Sequence, residues 1–369
     1  MMTTRAATAI AAIIILMADI IVLVPGVLTV LGSSGKSLFS SEDFMKYRVW
    51  LYVLAVAFSR ETMSRAEEPM QDIAQLGEDA LVQGEYVGEL DWPEKRGQFG
   101  LQVIAYGHGV YRAVLYYGGL PGDGWKRGDK KEEAMGITRK SGPFFTTPDW
   151  AIKIKDGVAS FNDSTPRMFG ELKKITRESP TAGAKPPADA IVLFDGKDTE
   201  TFQPGAQMTP EGLLKQGANT VEQFQSFTLH LEFRLPLMLE ALGQSRGNSG
   251  VYPQGRYEVQ ILDSFGLEGR HNECGGIYKT HEPLLNMCFP PMAWQTYDID
   301  YTAAKYEGGS KVKHARITVK QNGVMIHENV ELPAVTPSAP NVEGPEAGML
   351  HLQNHNAEVR FRNVWIVKK

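Results

Sequence analysis

Beyond residue 84 the chain repeatedly alternates apolar and polar residues one for one, broken by short Gly, Pro and Asn turns. That period is the mark of half-buried strands. Leu101 to Tyr106 and Val110 to Tyr116 flank Gly107-His108-Gly109, which predicts a hairpin. Ala151 to Ile154 and Gly157 to Phe161 predict another around Lys155-Asp156. Gln71 to Gln83 reads as a short helix leading into residues 84–176, a small β-rich domain. The stretch 177–190 holds Ser179-Pro180, Gly183 and Pro186-Pro187 without apolar periodicity, and reads as a linker. From 191 to 369 alternation dominates. Phe227, Leu229, Leu231 and Phe233 alternate with Thr228, His230, Glu232 and Arg234. Tyr257, Val259 and Ile261 alternate with Glu258 and Gln260, and Tyr297, Ile299 and Tyr301 with Thr296, Asp298 and Asp300. Ala315, Ile317 and Val319 lead to an Asn322-Gly323 turn. Leu350 and Leu352 alternate with His351, Gln353 and His355; Val359, Phe361 and Trp365 alternate with Arg360, Arg362 and Val364. Many strands, short turns and no amphipathic helix predict an all-β chain whose second half is a two-sheet sandwich or jelly roll.

The first 66 residues follow a different pattern. Ala9 to Leu31 is almost wholly apolar and long enough to span a bilayer, although Asp19 and Pro25-Gly26 weaken it. Met45-Lys46-Tyr47-Arg48, the apolar run Val49 to Phe58 and Ser64-Arg65-Ala66 form a second export signal of signal-peptide type. Two readings stay open: translation from Met45 with cleavage after Ala66, or an N-terminal membrane anchor. Both carry the globular part to the periplasm or the exterior. A formal net charge of -5 gives no basic field for nucleic acid. Gly32 to Ser37 lacks the spacing of a phosphate-binding loop. In an exported protein, Cys274 and Cys288 are expected to form a disulfide, contributing ~3 kcal/mol in a loop-entropy model; the alternative is two buried thiols.

Chemistry is sought on the polar strand faces. Asn248, Glu258, Gln260, Gln353 and His355 lie where they can converge, with Tyr278 and Lys279 in the loop after Gly275-Gly276 and Glu232 on a further strand. Dense amide and carboxyl pairs suit sugar hydroxyls; a solvated strand face is the plainer account of any one of them. Tyr106, Tyr111 and Trp125 could stack on sugars or simply pack in the first β domain. No zinc-protease helix motif or serine nucleophile elbow is present. On a strand, His351 and His355 would share a face but stand roughly 13 Å apart, too far for one ion.

An ordered set of segments carries a resemblance. Ile191 to Asp198, Asn248 to Tyr252, Gly255 to Asp263, Gly275 to Tyr278, Trp294 to Asp298, Asn322-Gly323, Leu352 to His355 and Val359 to Trp365 together resemble the 3-keto-disaccharide hydrolase family over residues 190–368. Asn356 stands where that family commonly has Gly after its His. The resemblance implies a concanavalin A-like β-sandwich and cleavage of glycosides oxidised at C3. A C3 ketone acidifies the C2 proton; a base removes it, the C1 group leaves, and water adds to the enone. Such a site needs a base, an electrophile for the enolate oxygen and an acid for the leaving group. Glu258 or His355 is the expected acid/base, with Asn248, Gln260, Tyr278, Lys279, Gln353 and Glu232 on the substrate. A divalent metal is one candidate electrophile, with Glu258 and Asp263 as its ligands, although these two point to opposite strand faces. The rival reading is a lectin-like sandwich that binds sugar without catalysis.

Overall fold

A computed structural model describes residues 77–92, 96–163 and 167–369, with the backbone of an antiparallel pair, Ile21–Val24 and Val27–Val30. Apart from that pair, the two export signals lie outside the described residues. Among the described residues, no helix is long and apolar enough to cross a membrane. Residues 1–66 and 67–369 are separate compact units, and the second carries the two large β modules of the chain.

Nearly all of its regular structure is strand. Eight strands come first: β1 (Gly84–Asp91), β2 (Arg96–Ala105), β3 (Val110–Tyr117), β4 (Lys131–Arg139), β5 (Gly142–Thr146), β6 (Ala151–Lys155), β7 (Val158–Asn162) and β8 (Met168–Ile175). Each pairs antiparallel with the next and β8 pairs with β1, so the sheet closes into a barrel in chain order. His108 and Asp156 take positive φ at two of the turns, in the hairpins expected there. Closure leaves no bare edge. The interior is filled by Tyr86, Phe99, Leu101, Tyr111, Phe145, Trp150 and Phe161. The helix α1 (Glu78–Val82) docks on the β2–β3 end, where Asp79 accepts from Gly109 N at 3.1 Å and Tyr111 OH at 2.5 Å. Tyr111 is therefore core, and Trp125 packs edge-on to Tyr116 at 5.0 Å. Tyr106 packs half-buried against the second core. None of the three forms an open stacking platform.

Two further sheets are built from β9 (Ile191–Phe194), β10 (Leu214–Lys215), β11 (Ala218–Phe224), β12 (Phe227–Arg234), β13 (Asn248–Tyr252), β14 (Val259–Leu262), β15 (Trp294–Thr302), β16 (Ala315–Gln321), β17 (Val324–Leu332), β18 (Gly348–Leu352) and β19 (Arg360–Lys368). The larger sheet runs β9-β19-β12-β15-β16-β17, with β10 also on β19; the smaller runs β11-β18-β13-β14. Leu229, Leu231, Phe233, Tyr297, Ile299 and Phe361 from the larger sheet share one core with Val251, Val259, Ile261, Leu350 and Leu352 from the smaller. Apolar side chains at alternate positions force this face-to-face packing.

Barrel and sandwich share that core as well. Ile104, Val114 and Tyr116, on the outer faces of β2 and β3, belong to it. Arg177 binds Glu85 through Nε at 2.7 Å, Gln102 Nε2 donates to Glu85 at 2.9 Å, and Tyr116 OH donates to Gln102 at 2.9 Å. Arg127 donates to the carbonyls of Glu268, Gly269, Pro283 and Leu284.

Three expectations change. The stretch expected to be a plain linker is strapped to the outer face of the larger sheet. Ser179 Oγ pairs with Thr296 Oγ1 at 2.7 Å, Thr181 Oγ1 donates to Asp298 at 2.8 Å, and Gly183 N donates to Glu232 at 2.6 Å. In β19, Asn363 at φ 47 inserts a bulge, so Val364 faces the core and Trp365 turns outward to stack on His230 at 5.1 Å. Cys274 and Cys288 are buried free thiols, not a disulfide. The two thiols are hydrogen-bonded neighbours; Cys274 Sγ also lies 3.3 Å from both Tyr297 OH and Gln321 Nε2, and Cys288 Sγ 3.4 Å from the carbonyls of Leu262 and Phe289.

Candidate functional site

The outer face of the smaller sheet gathers the polar side chains, and strand register decides which. Gly250 on β13 pairs with Gln260 on β14, and Tyr252 on β13 pairs with His351 on β18, which pairs in turn with Asn219 on β11. Glu258 stands one step before β14, next to Tyr252. Asn219, His351, Tyr252 and Glu258 thus form one row across four strands. Gln353, Gly250 and Gln260 form the next row, since Gln353 N donates to Gly250 O at 2.9 Å. Asn248 follows on β13.

Glu258 is the centre of this surface. Its side chain lies over Gly250; a Cβ there would abut Glu258 Oε1 and come within 2.9 Å of Tyr252 Cε2. Glu258 is only 3% exposed. Burial raises its pKa to about 7, opposed by a hydrogen bond from Tyr252. The Tyr252 hydroxyl, whose own pKa is pushed up by burial, donates to Glu258 and accepts from Gln353 Nε2 at 3.0 Å. Beside it, His351 Nδ1 is 2.6 Å from Asn219 Oδ1, and its ring meets Tyr252 edge-on at 5.0 Å. An amide oxygen can only accept, so Nδ1 carries the proton and Nε2 keeps its lone pair. Burial lowers the imidazole to about 4, so it is neutral near pH 7.

Three amides complete the surface. Gln244 accepts from Gln260 Nε2 at 3.2 Å and, through its backbone carbonyl, from Asn248 Nδ2 at 2.8 Å, while its own Nε2 donates to Asn272 O at 2.7 Å. With their nitrogens engaged, Asn248 Oδ1, Gln260 Oε1 and Gln353 Oε1 are buried acceptors without partners. Each such group costs about 1–3 kcal/mol in a folded protein. A ligand bearing hydroxyl groups would supply the missing donors.

The fold therefore unites Asn248, Glu258, Gln260 and Gln353. Tyr278 joins at the edge, its N donating to Glu258 O at 3.1 Å; Lys279 is exposed, with Nζ 5.5 Å from the Tyr278 ring. His355 is not brought into the rows. Strand β18 ends at Leu352, and His355 is exposed in the turn before Asn356, whose φ is 60.

Two expectations are corrected. Glu232 lies on the other sheet, fully buried and bound by Gly183 N, Arg362 Nε at 2.7 Å and Asn363 Nδ2 at 2.8 Å. Burial opposes its ionisation, but hydrogen bonds from His230, Asn363, Gly183 and Arg362 prevail and hold its pKa at about 2. It is a structural anion, not a sugar ligand. Asp263 is buried against Arg246 Nη2 at 2.7 Å, which commits its carboxylate. Among the described residues no three His, Cys, Asp or Glu side chains gather as a metal site, so the pairing of Glu258 with Asp263 on one ion has no geometric support.

Sequence reasoning missed Tyr252, His351, Asn219 and Gln244. Tyr252 shares parity with Asn248 and Gly250, which was a usable signal. His351 was weighed only as a metal partner of His355. Asn219 and Gln244 reach the site through register and a loop, which alternation does not report.

Comparisons with known proteins agree on one half of the chain. A solved structure of a candidate glycosyl hydrolase from Parabacteroides distasonis is 35% identical, covering 50% of this chain and 85% of that one, with a TM-score of 0.46. A second from the same organism, described in the same way, is 19% identical over 53% of this chain and 98% of that one, with a TM-score of 0.36. No curated protein matches the chain. The model of the 3-keto-alpha-glucoside-1,2-lyase-like domain matches residues 189–367, and through this sandwich the chain belongs to that family.

Proposed function

We propose that the sandwich cleaves glycosides already oxidised at C3, by removal of the C2 proton, elimination of the C1 substituent and hydration of the enone. Family membership supports a glycoside-cleaving enzyme. One observation carries the finer reading: a carboxyl with a pKa of about 7 on a sheet face that also holds three buried, unpartnered amide oxygens. An acid poised near neutrality suits proton delivery to a departing glycosidic oxygen, and the amides suit the sugar hydroxyls. We further infer that the two sheets form a concanavalin A-like sandwich, and that the chain works outside the cytoplasm on a small glycoside. A lectin has no use for a carboxyl held on the edge of ionisation.

The test is incubation with 3-keto-glucosides and with the unoxidised disaccharides, with and without chelator. Release of the aglycone from keto substrates alone is expected. Absence of release from every keto substrate would remove the reading. Glu258→Gln should retain sugar affinity and lose turnover by about 100-fold or more, the usual scale of a general acid's contribution; unchanged turnover would assign Glu258 to binding only.

A further inference from the structure

We propose that His351 is the base that removes the C2 proton, through Nε2, while Glu258 serves as the acid. This rests on the elimination reading of the sandwich. The reaction requires two proton-transfer groups in opposite states at the same pH. One row of the sheet holds such a pair. His351 and Glu258 flank Tyr252 on the strands to either side. Two strand spacings separate them, about 10 Å between backbones, and the Tyr252 side chain fills the gap, so one sugar ring would reach both by lying over that side chain.

Three features fit His351 to the role. The hydrogen bond to Asn219 Oδ1, at 2.6 Å, fixes the tautomer, so the free lone pair is on Nε2. The Tyr252 ring edge holds the plane of the imidazole. His351 is half-buried, whereas His355 is exposed beyond the end of β18. Burial also keeps His351 neutral at the pH where Glu258 is still largely protonated.

The steps balance. The Nε2 lone pair takes the C2 hydrogen as a proton, and the C–H electrons form the enolate. The enolate collapses to restore the C3 ketone and form a C1–C2 double bond, and the C1–O bond breaks. The Glu258 carboxyl gives its proton to the departing oxygen. Water then adds its hydroxyl to C1 and its proton to C2. No oxidant or reductant is needed, because the substrate arrives oxidised. Asn219 does not touch substrate in this scheme; it is a positioning residue.

The experiment separates proton removal from elimination. 1,5-Anhydro-3-keto-glucitol has no C1 leaving group, so exchange of its C2 hydrogen in deuterium oxide reports the base alone. 3-Keto-glucosides report the whole reaction. Wild type should exchange and cleave. His351→Gln should lose both by at least 100-fold while keeping its melting temperature. Glu258→Gln should keep exchange and lose cleavage, and His355→Gln should keep exchange within about threefold. Asn219→Ala should lower exchange about tenfold at unchanged KM. Wild-type exchange in His351→Gln, or its loss in His355→Gln instead, would overturn the assignment and leave the elimination reading intact. A wild type that cleaves no keto-glucoside and exchanges no C2 hydrogen would overturn both.

Discussion

Burial keeps Glu258 protonated up to about pH 7, against an ordinary carboxyl pKa of 4.5, with a thermodynamic as well as a catalytic consequence. The folded state binds this proton more tightly than the unfolded chain does. The stability it carries is complete below pH 4.5 and is lost as pH rises toward 7. Glu258→Gln removes that loss. The variant should match wild type in urea melts at pH 4 and exceed it at pH 8, by up to about 3 kcal/mol for a shift of this size. Wild-type cleavage should fall as pH rises through about 7, because the proton owed to the leaving group is gone. Gly250 is the second sensitive residue. Its backbone is not in the left-handed region, so the constraint is purely steric. Gly250→Ala would press a methyl group on the Glu258 carboxyl and the Tyr252 ring. Expected are a cost of about 1–3 kcal/mol, typical of overpacking, and a loss of turnover larger than the loss of binding. Denaturation and steady-state kinetics would check the pair of effects.

Among elements, the strap from Ser179 to Ala184 shows how a segment without apolar periodicity becomes part of a fold. It carries hydroxyls and backbone donors to Thr296, Asp298 and Glu232. Glu232 is the hub, and Glu232→Ala would leave Arg362 and the Gly183 amide without their acceptor. Arg362 is partly in solvent, so the loss comes from buried donors left without an acceptor, about 1–3 kcal/mol, which denaturant melts would register. Turnover per folded molecule should stay near wild type, because Glu232 lies on the sheet away from Glu258. Strands were readable from alternation wherever pairing was regular: Phe227 to Arg234 faces as expected, and Asn322-Gly323 turns the chain with φ of 50 and 76. Alternation failed where register slipped. Nothing in the composition around Asn363 announces its bulge, and that one residue reversed Val364 and Trp365. The end of β18 at Leu352 was equally hidden, which made His355 look like a neighbour of Gln353 on a continuing strand. Glu258 and Gln260 were legible as site residues because they alternate with core residues on a single strand. Tyr252 and His351 needed the pairing of β13 with β18, which no local pattern contains.

On the scale of the molecule, barrel and sandwich behave as a single body. They share an apolar core, and Arg177, which binds Glu85 of the barrel, lies over the Phe289 ring of the sandwich at 4.9 Å. Calorimetry should show one cooperative transition for residues 67–369 rather than two, and Glu85→Ala should move that transition as a whole; a split peak would show independent units. The barrel also braces the loop that frames the site, since Arg127 ties four carbonyls between Glu268 and Leu284. Arg127→Ala should speed amide hydrogen exchange within residues 266–286 while the strands of both sheets stay protected.

The order of the strands sets a timetable for assembly. Every barrel strand pairs with its neighbours in the chain, apart from the closing contact of β8 with β1. Such local pairing has a small loop-closure cost and forms quickly. The sandwich is arranged in the opposite way. Its last strand, β19, lies between β9 and β12 in the larger sheet, pairing Ile191 with Ile366. That sheet cannot close until residues 360–368 have been made. The barrel is therefore the part able to fold first as the chain emerges, with its apolar outer strip of Ile104, Val114 and Tyr116 waiting for the sandwich to cover it. Loss of residues 360–368 would remove an internal strand of the larger sheet, and would leave the barrel finished and the sandwich open.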